Sequence, residues 1–148
     1  MSSPGQALLK RNATYTREQF SAHWLKHGAK VTPWALENGV TYYAQIHNPR
    51  MGPGAMLPSD LHIAEWDGAA EMTFERGPDF KSTAKSDDYY QKVILPDERA
   101  FLICEALQHL RWVDPETMVG DKVVIIQGGR AMIDCEEDMK IWNDWPAK

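Results

Sequence analysis

Hydrophobic positions recur with a helical period after Thr16, and the rest of the chain can be arranged around this stretch. Thr16 and Gln19 have the spacing of a capping box, in which each side chain satisfies a backbone amide of the other residue. The stripe that follows one face of the predicted helix consists of Phe20, Trp24, His27 and Val31. Pro33 disfavours helical geometry at the residue before it, so the helix is expected to end at Val31.

Runs of strand-forming residues give the order of the other elements. The predicted strands cover residues 7–11, 40–47, 61–74 and 107–113. A second helix is expected to begin at Pro78, a favourable first helical position, and to be interrupted at Pro96. The order strand, helix, strand, strand, helix, strand predicts an α+β fold with a ferredoxin-like βαββαβ unit. In such a unit both helices cover one face of an antiparallel sheet.

The length favours a single domain over residues 1–148. Its core is expected at about residues 6–115, and residues 116–148 are expected to form a C-terminal docking tail. Residues 48–59 hold three prolines and two glycines, so they are interpreted as a long loop of the kind that closes over a ligand.

Strand alternation places chemically interesting side chains on defined faces. Tyr43, Gln45 and His47 share one face of the second strand. His62 and Trp66 belong to the even-numbered, nearly apolar face of the third strand. His27, from the helix stripe, is expected to point toward the same interior, so three imidazoles are candidates for one cavity.

Histidine titrates near neutral pH with little tuning, which makes His47, His27 and His62 candidate proton-transfer groups. Each is equally open to interpretation as a core histidine that only ties backbone groups together. His23 and His27 also have the i, i+4 spacing of a metal-binding pair. Since no glutamate lies between them as in HExxH and no third ligand is defined, no metal site is predicted.

Composition narrows the class of protein. Hydrophobic residues make up 43% and charged residues 25% of the chain, as in folded globular proteins. The net charge of -5 and the lack of a basic run argue against nucleic acid as a partner. No signal peptide or membrane-spanning run is seen, so a soluble, cytoplasmic protein is expected. Nucleotide-binding and serine or cysteine nucleophile motifs are missing from the sequence.

Several short segments, taken in order, resemble one family. They are LLKR near residue 8, HW in the first helix, PW at residues 33–34, YYAQIHN, WDGAAEMTF and DERAF. The chain resembles the EthD-domain branch of the dimeric α+β barrel proteins, and within it small fungal polyketide-tailoring decarboxylases and dehydratases of anthraquinone-type pathways. The resemblance implies a homodimer whose sheets face each other, a pocket between each sheet and its helices, and chemistry without a cofactor.

The function that this resemblance favours is a cofactor-independent lyase. It would decarboxylate an aromatic polyketide intermediate of secondary-metabolite biosynthesis, or dehydrate and aromatise it. His47 would give or take a proton with His27 or His62 as its partner. The residues expected to hold the substrate are Tyr43, Gln45, Trp24, Trp66 and Tyr90. Two alternatives remain open: a cofactor-free anthrone-type monooxygenase, and an accessory protein of the same fold that only binds.

Overall fold

A computed structural model describes residues 5–54, 66–74, 84–102 and 111–146 of the chain. The strands in these ranges are β1 (Gln6–Leu9), β2 (Val40–Met51), β3 (Gly68–Phe74), β4 (Arg111–Val113), β5 (Met118–Gln127) and β6 (Arg130–Ala131). The helices are α1 (Arg17–Glu37), α2 (Ala84–Tyr89), α3 (Leu95–Phe101) and α4 (Glu136–Asn143). A π-helical turn, Tyr90–Ile94, joins α2 to α3.

The described strands form one antiparallel sheet in the order β4-β1-β3-β2-β5-β6. The first four strands therefore stand in the order 4-1-3-2 of a ferredoxin-like unit, which confirms the predicted α+β fold. In the register of the central strands, His47 lies opposite Gly68 on β3 and opposite Asp121 on β5.

Helix α1 begins as predicted and ends later. The Gln19 backbone N–H donates to the Thr16 hydroxyl at 3.1 Å, and the Thr16 N–H donates to the Gln19 side chain at 2.9 Å, which confirms the capping box. The helix continues through Pro33 to Glu37, so the predicted end at Val31 is wrong.

The extra turn of α1 is held by burial and by a local cap. Ala35 is fully buried in the core that also contains Val31, and this packing offsets the backbone bond that Pro33 removes. Asn38 ends the helix, because its backbone N–H and its side-chain amide both donate to the Trp34 carbonyl.

The second helical segment is also more continuous than the sequence suggested. Pro96 was expected to interrupt it, yet α2 runs through the π-helical turn directly into α3. The Leu95 N–H donates to the Tyr90 carbonyl across that turn, and Pro96 follows in the first turn of α3. The wider turn accommodates a proline without ending the segment. The predicted start at Pro78 lies outside the described residues.

Some predicted strand boundaries also differ from the structure, and others are only partly described. β2 extends to Met51, so residues 48–51 of the predicted loop belong to a strand, while residues 55–59 lie outside the described ranges. β3 begins only at Gly68; Trp66 and Asp67 precede it, and residues 61–65 are not described. Of the predicted fourth strand, residues 111–113 are described and extended.

The segment after residue 115 extends the sheet. β5 pairs with β2 along most of its length, and β6 pairs with β5. Helix α4 then packs on the helix side of the sheet, where Trp142 contacts Tyr89 edge to face at 5.0 Å. The predicted docking tail therefore contributes strands as well as a helix.

Side chains on the two faces of the sheet form separate clusters. On the helix side, buried residues from α1, β2, α2 and β5 make the larger cluster, which includes Val31, Ala35, Tyr43, Tyr89 and Ile125. Beside it, Leu9 packs with Phe20, Trp24, Phe101 and Leu102. The opposite face holds Leu8, Ile46, Trp66, Ala69 and Met118.

The opposite face also carries a charged group. Glu71 is 4% exposed and receives hydrogen bonds from Gln6 at 2.8 Å and Tyr42 at 3.0 Å, with the Lys122 ammonium at 2.9 Å. Burial alone would raise the pKa of Glu71, but these partners hold it below its usual range. Glu71 is therefore an ionised, fully partnered side chain.

Among the residues that the structure describes, none of the helices has the length and apolar character needed to span a membrane.

Candidate functional site

Strand β2 presents Tyr43, Gln45 and His47 to α1, the shared face that strand alternation predicted. The Gln45 amide nitrogen donates to the Trp24 carbonyl at 2.8 Å and to the Tyr43 hydroxyl at 3.0 Å. Both amide hydrogens are used in this way, so the amide oxygen is the group that faces His47 Nε2, at 3.0 Å. His47 is thus held as the neutral tautomer that carries its hydrogen on Nε2.

Two glycines let α1 lie directly on this part of the sheet. A Cβ atom on Gly28 would lie 2.7 Å from the Gln45 amide nitrogen, and one on Gly68 would lie 2.6 Å from the Trp24 ring. Real Cβ atoms essentially never approach so closely, so a larger residue at either position would force the neighbouring side chain or α1 to shift. Because Gly68 is the register partner of His47, the Trp24 indole also reaches the imidazole, with ring centroids 4.8 Å apart.

The surroundings of this strand face keep its groups uncharged. Burial lowers the pKa of His47, and the opposing charge of Asp121 only partly restores it. Burial also raises the pKa of Tyr43 to about 12, although its bonds to Gln45 and Trp24 act in the other direction. At neutral pH His47 is therefore a free base beside a phenol that keeps its proton.

His27 lies three residues beyond Trp24 on α1 and is bonded to α3. Its Nδ1 is 2.7 Å from Asp97 Oδ2, its ring centroid is 5.0 Å from that of Phe101, and the residue is only 4% exposed. The other oxygen of Asp97 accepts from His23 Nε2 at 2.8 Å and from Lys30 Nζ at 3.3 Å. We call this group (His23, His27, Lys30 and Asp97) the Asp97 cluster.

Electrostatics in the Asp97 cluster favour charged forms. Burial alone would lower the pKa of His27, but Asp97 and Glu98 outweigh it, and the pKa is raised above its ordinary value. Burial likewise would raise the pKa of Asp97, yet its hydrogen bonds with His27 and His23 hold it well below its usual range. His27 and Asp97 therefore form an imidazolium–carboxylate pair below the raised pKa of His27.

Glu98, next to Asp97 on α3, lies near the other ring nitrogen of His27. Its carboxylate is 3.8 Å from His27 Nε2, which is too far for a hydrogen bond but close enough to stabilise a positive charge. Tyr90 donates to the other oxygen at 3.4 Å, and burial together with Glu98 raises the pKa of Tyr90 to about 12. The charge of Glu98 also contributes to the raised pKa of Tyr43, so this one carboxylate raises the pKa of both Tyr90 and Tyr43.

The structure brings most of the predicted site residues to one side of the sheet. These are Trp24, His27, Tyr43, Gln45, His47 and Tyr90. Trp66 is not among them, because it packs on the opposite face with Leu8 and Ile46. Its expected face assumed a strand that started at residue 61, but β3 begins two residues after Trp66, so the alternation does not reach it. His62 lies outside the described residues.

Asp97 and Glu98 are the site residues that sequence reasoning missed. The segment DERAF served only as a point of resemblance, although Asp97 lies one helical turn before the buried Phe101 and so shares its inward face. A carboxylate on an apolar helix stripe is the signal that would have identified it, since such a group needs a charged partner.

The i, i+4 pair His23 and His27 is directed at a carboxylate. His23 Nδ1 is bonded to the Tyr15 hydroxyl at 3.0 Å, while His23 Nε2 and His27 Nδ1 both face Asp97. Within the described ranges, no group of three or more His, Cys, Asp or Glu side chains has the arrangement of a metal site.

Fold and site together define a ferredoxin-like α+β protein that holds two buried histidines between its sheet and its helices. The chain belongs to the EthD family, because the family model for the EthD domain matches residues 12–102, more than half of its length. The matched range contains both histidines and both carboxylates of the site. No curated protein and no solved structure matches the chain.

Proposed function

We propose that this protein is a cofactor-independent lyase that acts on an aromatic polyketide by decarboxylation or by dehydration with aromatisation. The observation that supports the proposal is that the pKa values of two buried imidazoles on the same side of the sheet are shifted in opposite directions. The pKa of His27 is raised and the pKa of His47 is lowered. Titratable groups whose environments separate their pKa values in this way are suited to act as acid and base.

His27 is the proton donor of the proposed reaction. Its Nδ1–H is committed to Asp97, which fixes the ring and stabilises the charged form. Its Nε2–H is not within hydrogen-bond distance of Glu98, so a substrate oxygen or carbon can take that proton. Asp97 is a positioning residue, since it acts through His27.

His47 is the proton acceptor. It is neutral and fixed on a strand, where the backbone sets its direction, and Gln45 holds its Nε2–H. The remaining ring nitrogen, Nδ1, carries the lone pair that can accept a proton. Placement on a rigid strand favours a precise approach to the substrate.

Dehydration would use both groups. His47 removes a proton from the carbon beside the hydroxyl-bearing carbon, the electron pair forms the new double bond, and the hydroxyl leaves as water with the proton of His27. Decarboxylation needs only the donor: the bond to the carboxylate breaks, its electrons enter the enolate or ring, and His27 protonates that carbon. Neither reaction requires an oxidant.

Aromatic side chains around the two imidazoles support a flat substrate. Trp24 lies against His47 with ring centroids 4.8 Å apart, and the Tyr90 hydroxyl is bonded to Glu98, whose carboxylate lies beside His27. Such ring faces bind polycyclic aromatic molecules by stacking and by burial of apolar area. Trp66 lies on the opposite face of the sheet and is not part of this proposed site.

The test is an incubation of the purified, chelator-treated protein with aromatic polyketide acids and hydroxylated ring precursors under anaerobic conditions. Products are identified by mass, and a lyase yields a product that has lost carbon dioxide or water. A product formed only with oxygen would replace the proposal by a cofactor-free monooxygenase. Binding without turnover, with or without oxygen, would instead indicate an accessory protein that only binds its ligand.

A further inference from the structure

A groove separate from the proposed acid–base pair runs along the outer side of α1. Its volume is about 680 Å³, and its walls come from α1, the turn before it and the start of α3. The side chains that matter for its chemistry are Tyr15, His23, Lys26, Lys30 and Asp97. His27 does not line it, since Asp97 and His23 stand between His27 and the groove.

The groove carries excess positive charge in a chain of net charge -5. Asp97 is its one acidic lining residue, and its carboxylate already accepts hydrogen bonds from His23, His27 and Lys30. Lys26 lies one turn before Lys30 on the same helix face and is exposed. In the described part of the chain Lys26 makes no ion pair. Two neighbouring ammonium groups therefore line the groove, where Lys30 is paired with Asp97 and Lys26 has no ion pair among the described residues.

The groove also has a fixed aromatic wall. His23 is bonded through both ring nitrogens, to Tyr15 and to Asp97, and it stacks on Phe101 with centroids 4.7 Å apart. Tyr15 lies beside it with a centroid distance of 5.7 Å. Because these rings are held by hydrogen bonds and packing, a flat ligand can contact them without ordering them first.

We infer that this groove binds a small aromatic carboxylate, whose carboxylate pairs with Lys26 and Lys30 while its ring lies against Tyr15 and His23. An ammonium pair is suited to an anion, and the aromatic wall selects one that carries a ring. The inference goes beyond the proposed lyase activity, because binding here requires neither turnover nor His47.

The experiment is a titration of the full chain with 3-hydroxy-2-naphthoate, followed by calorimetry and by NMR of the histidine and tyrosine rings. The expected result is saturable binding that shifts the resonances of Tyr15 and His23. Lys26→Gln should weaken this binding by about fivefold, the upper end for one solvent-exposed ion pair. Lys140→Gln, which removes an exposed lysine of α4 outside the groove, should leave it unchanged.

Two further ligands test separately how much the carboxylate and the aromatic rings contribute to binding. 2-Naphthol has the same rings without the carboxylate and should bind much more weakly. Inorganic phosphate has charge without a ring and should not displace the naphthoate at equal concentration. Equal binding of 2-naphthol, displacement by phosphate, or unchanged affinity in Lys26→Gln would each overturn the inference. None of these outcomes bears on turnover at His27 and His47, so failure here is distinct from failure of the proposed activity.

Discussion

His27 and Asp97, 70 residues apart in the sequence, meet at a distance of 2.7 Å between Nδ1 and Oδ2. The contact joins α1 to α3 and places an ion pair where the imidazole is 4% exposed. A buried imidazole normally loses its proton more easily than one in water, and the carboxylate reverses that tendency. This pair is the basis for proposing His27 as the proton donor of the lyase reaction.

Asp97→Asn keeps the shape of the side chain and removes its charge. The pKa of His27 should then fall, because burial is no longer outweighed by the nearest carboxylate. Turnover at neutral pH should decrease by about two orders of magnitude, within the range of positioned acid–base catalysis. NMR titration of the His27 ring and the pH profile of kcat would measure both effects. Asp87→Asn, on an exposed position of α2, is the matched control. An unchanged His27 titration would mean that Asp97 does not set its charge.

His47→Ala should lower turnover by about two to four orders of magnitude if His47 is the base. Substrate binding should change much less, since ring contacts supply most of it. His47→Gln keeps a polar group of similar reach and should still be slow, because an amide does not exchange a proton at neutral pH. Steady-state kinetics with the true substrate, separating kcat from KM, is the measurement. Near-normal kcat in either variant would make His47 a structural residue.

The two histidines should affect the free energy of unfolding with opposite dependence on pH. The folded pKa of His27 is raised, so its contribution is complete below pH 6.5 and is lost as the pH rises through the folded pKa. The folded pKa of His47 is lowered, so its contribution is complete above pH 6.5 and is lost as the pH falls through the folded pKa.

Urea unfolding of wild type, His27→Gln and His47→Gln across this pH range provides the check. His27→Gln should remove a decline in stability on the alkaline side, and His47→Gln should remove a decline on the acidic side. If the free energy of unfolding depends on pH in the same way in both variants, the pKa values of His27 and His47 are not shifted in opposite directions.

Gly28→Ala should destabilise the fold although alanine is the better helix former. The added Cβ would lie 2.7 Å from the Gln45 amide nitrogen and 3.4 Å from Ile125, so either the hydrogen-bonded Gln45 side chain or α1 must shift. The expected cost is about 1–3 kcal/mol, larger than the helix-propensity gain of roughly 1 kcal/mol. Thermal or urea denaturation would measure it. The same substitution in a Gln45→Ala background should cost less, and equal costs in the two backgrounds would exclude this contact as the cause.

We expect the protein to be a homodimer that associates through the sheet face opposite the helices. An open face of an antiparallel sheet is commonly covered by a second copy. Light scattering at micromolar concentration should give the mass of two chains. Lys122→Glu would place a second carboxylate beside the buried Glu71 and should weaken association, whereas Lys92→Glu on the helix side should not. A monomeric wild-type protein would contradict the predicted homodimer in which the two sheets face each other.

Local sequence patterns were sufficient for the order of the elements as far as β4 and for one face of the site. The capping box and the apolar stripe predicted the start and the inner side of α1, and alternation predicted the shared face of Tyr43, Gln45 and His47. These predictions hold because capping and side-chain direction depend on neighbours within a few residues. They failed at Pro33 and Pro96, where the cost of a proline is outweighed by burial or absorbed by a wider turn.

Sequence alone thus determined the strand and helix order as far as β4, the ferredoxin-like class and the candidacy of His27 and His47. Only the tertiary structure decided that Asp97 is the partner of His27, that Trp66 lies on the other face, and that the two imidazoles have opposite tuning. The reason is physical. The charge state of a buried group depends on desolvation and on charges that approach it through space, and here those charges come from elements 70 or more residues away along the chain.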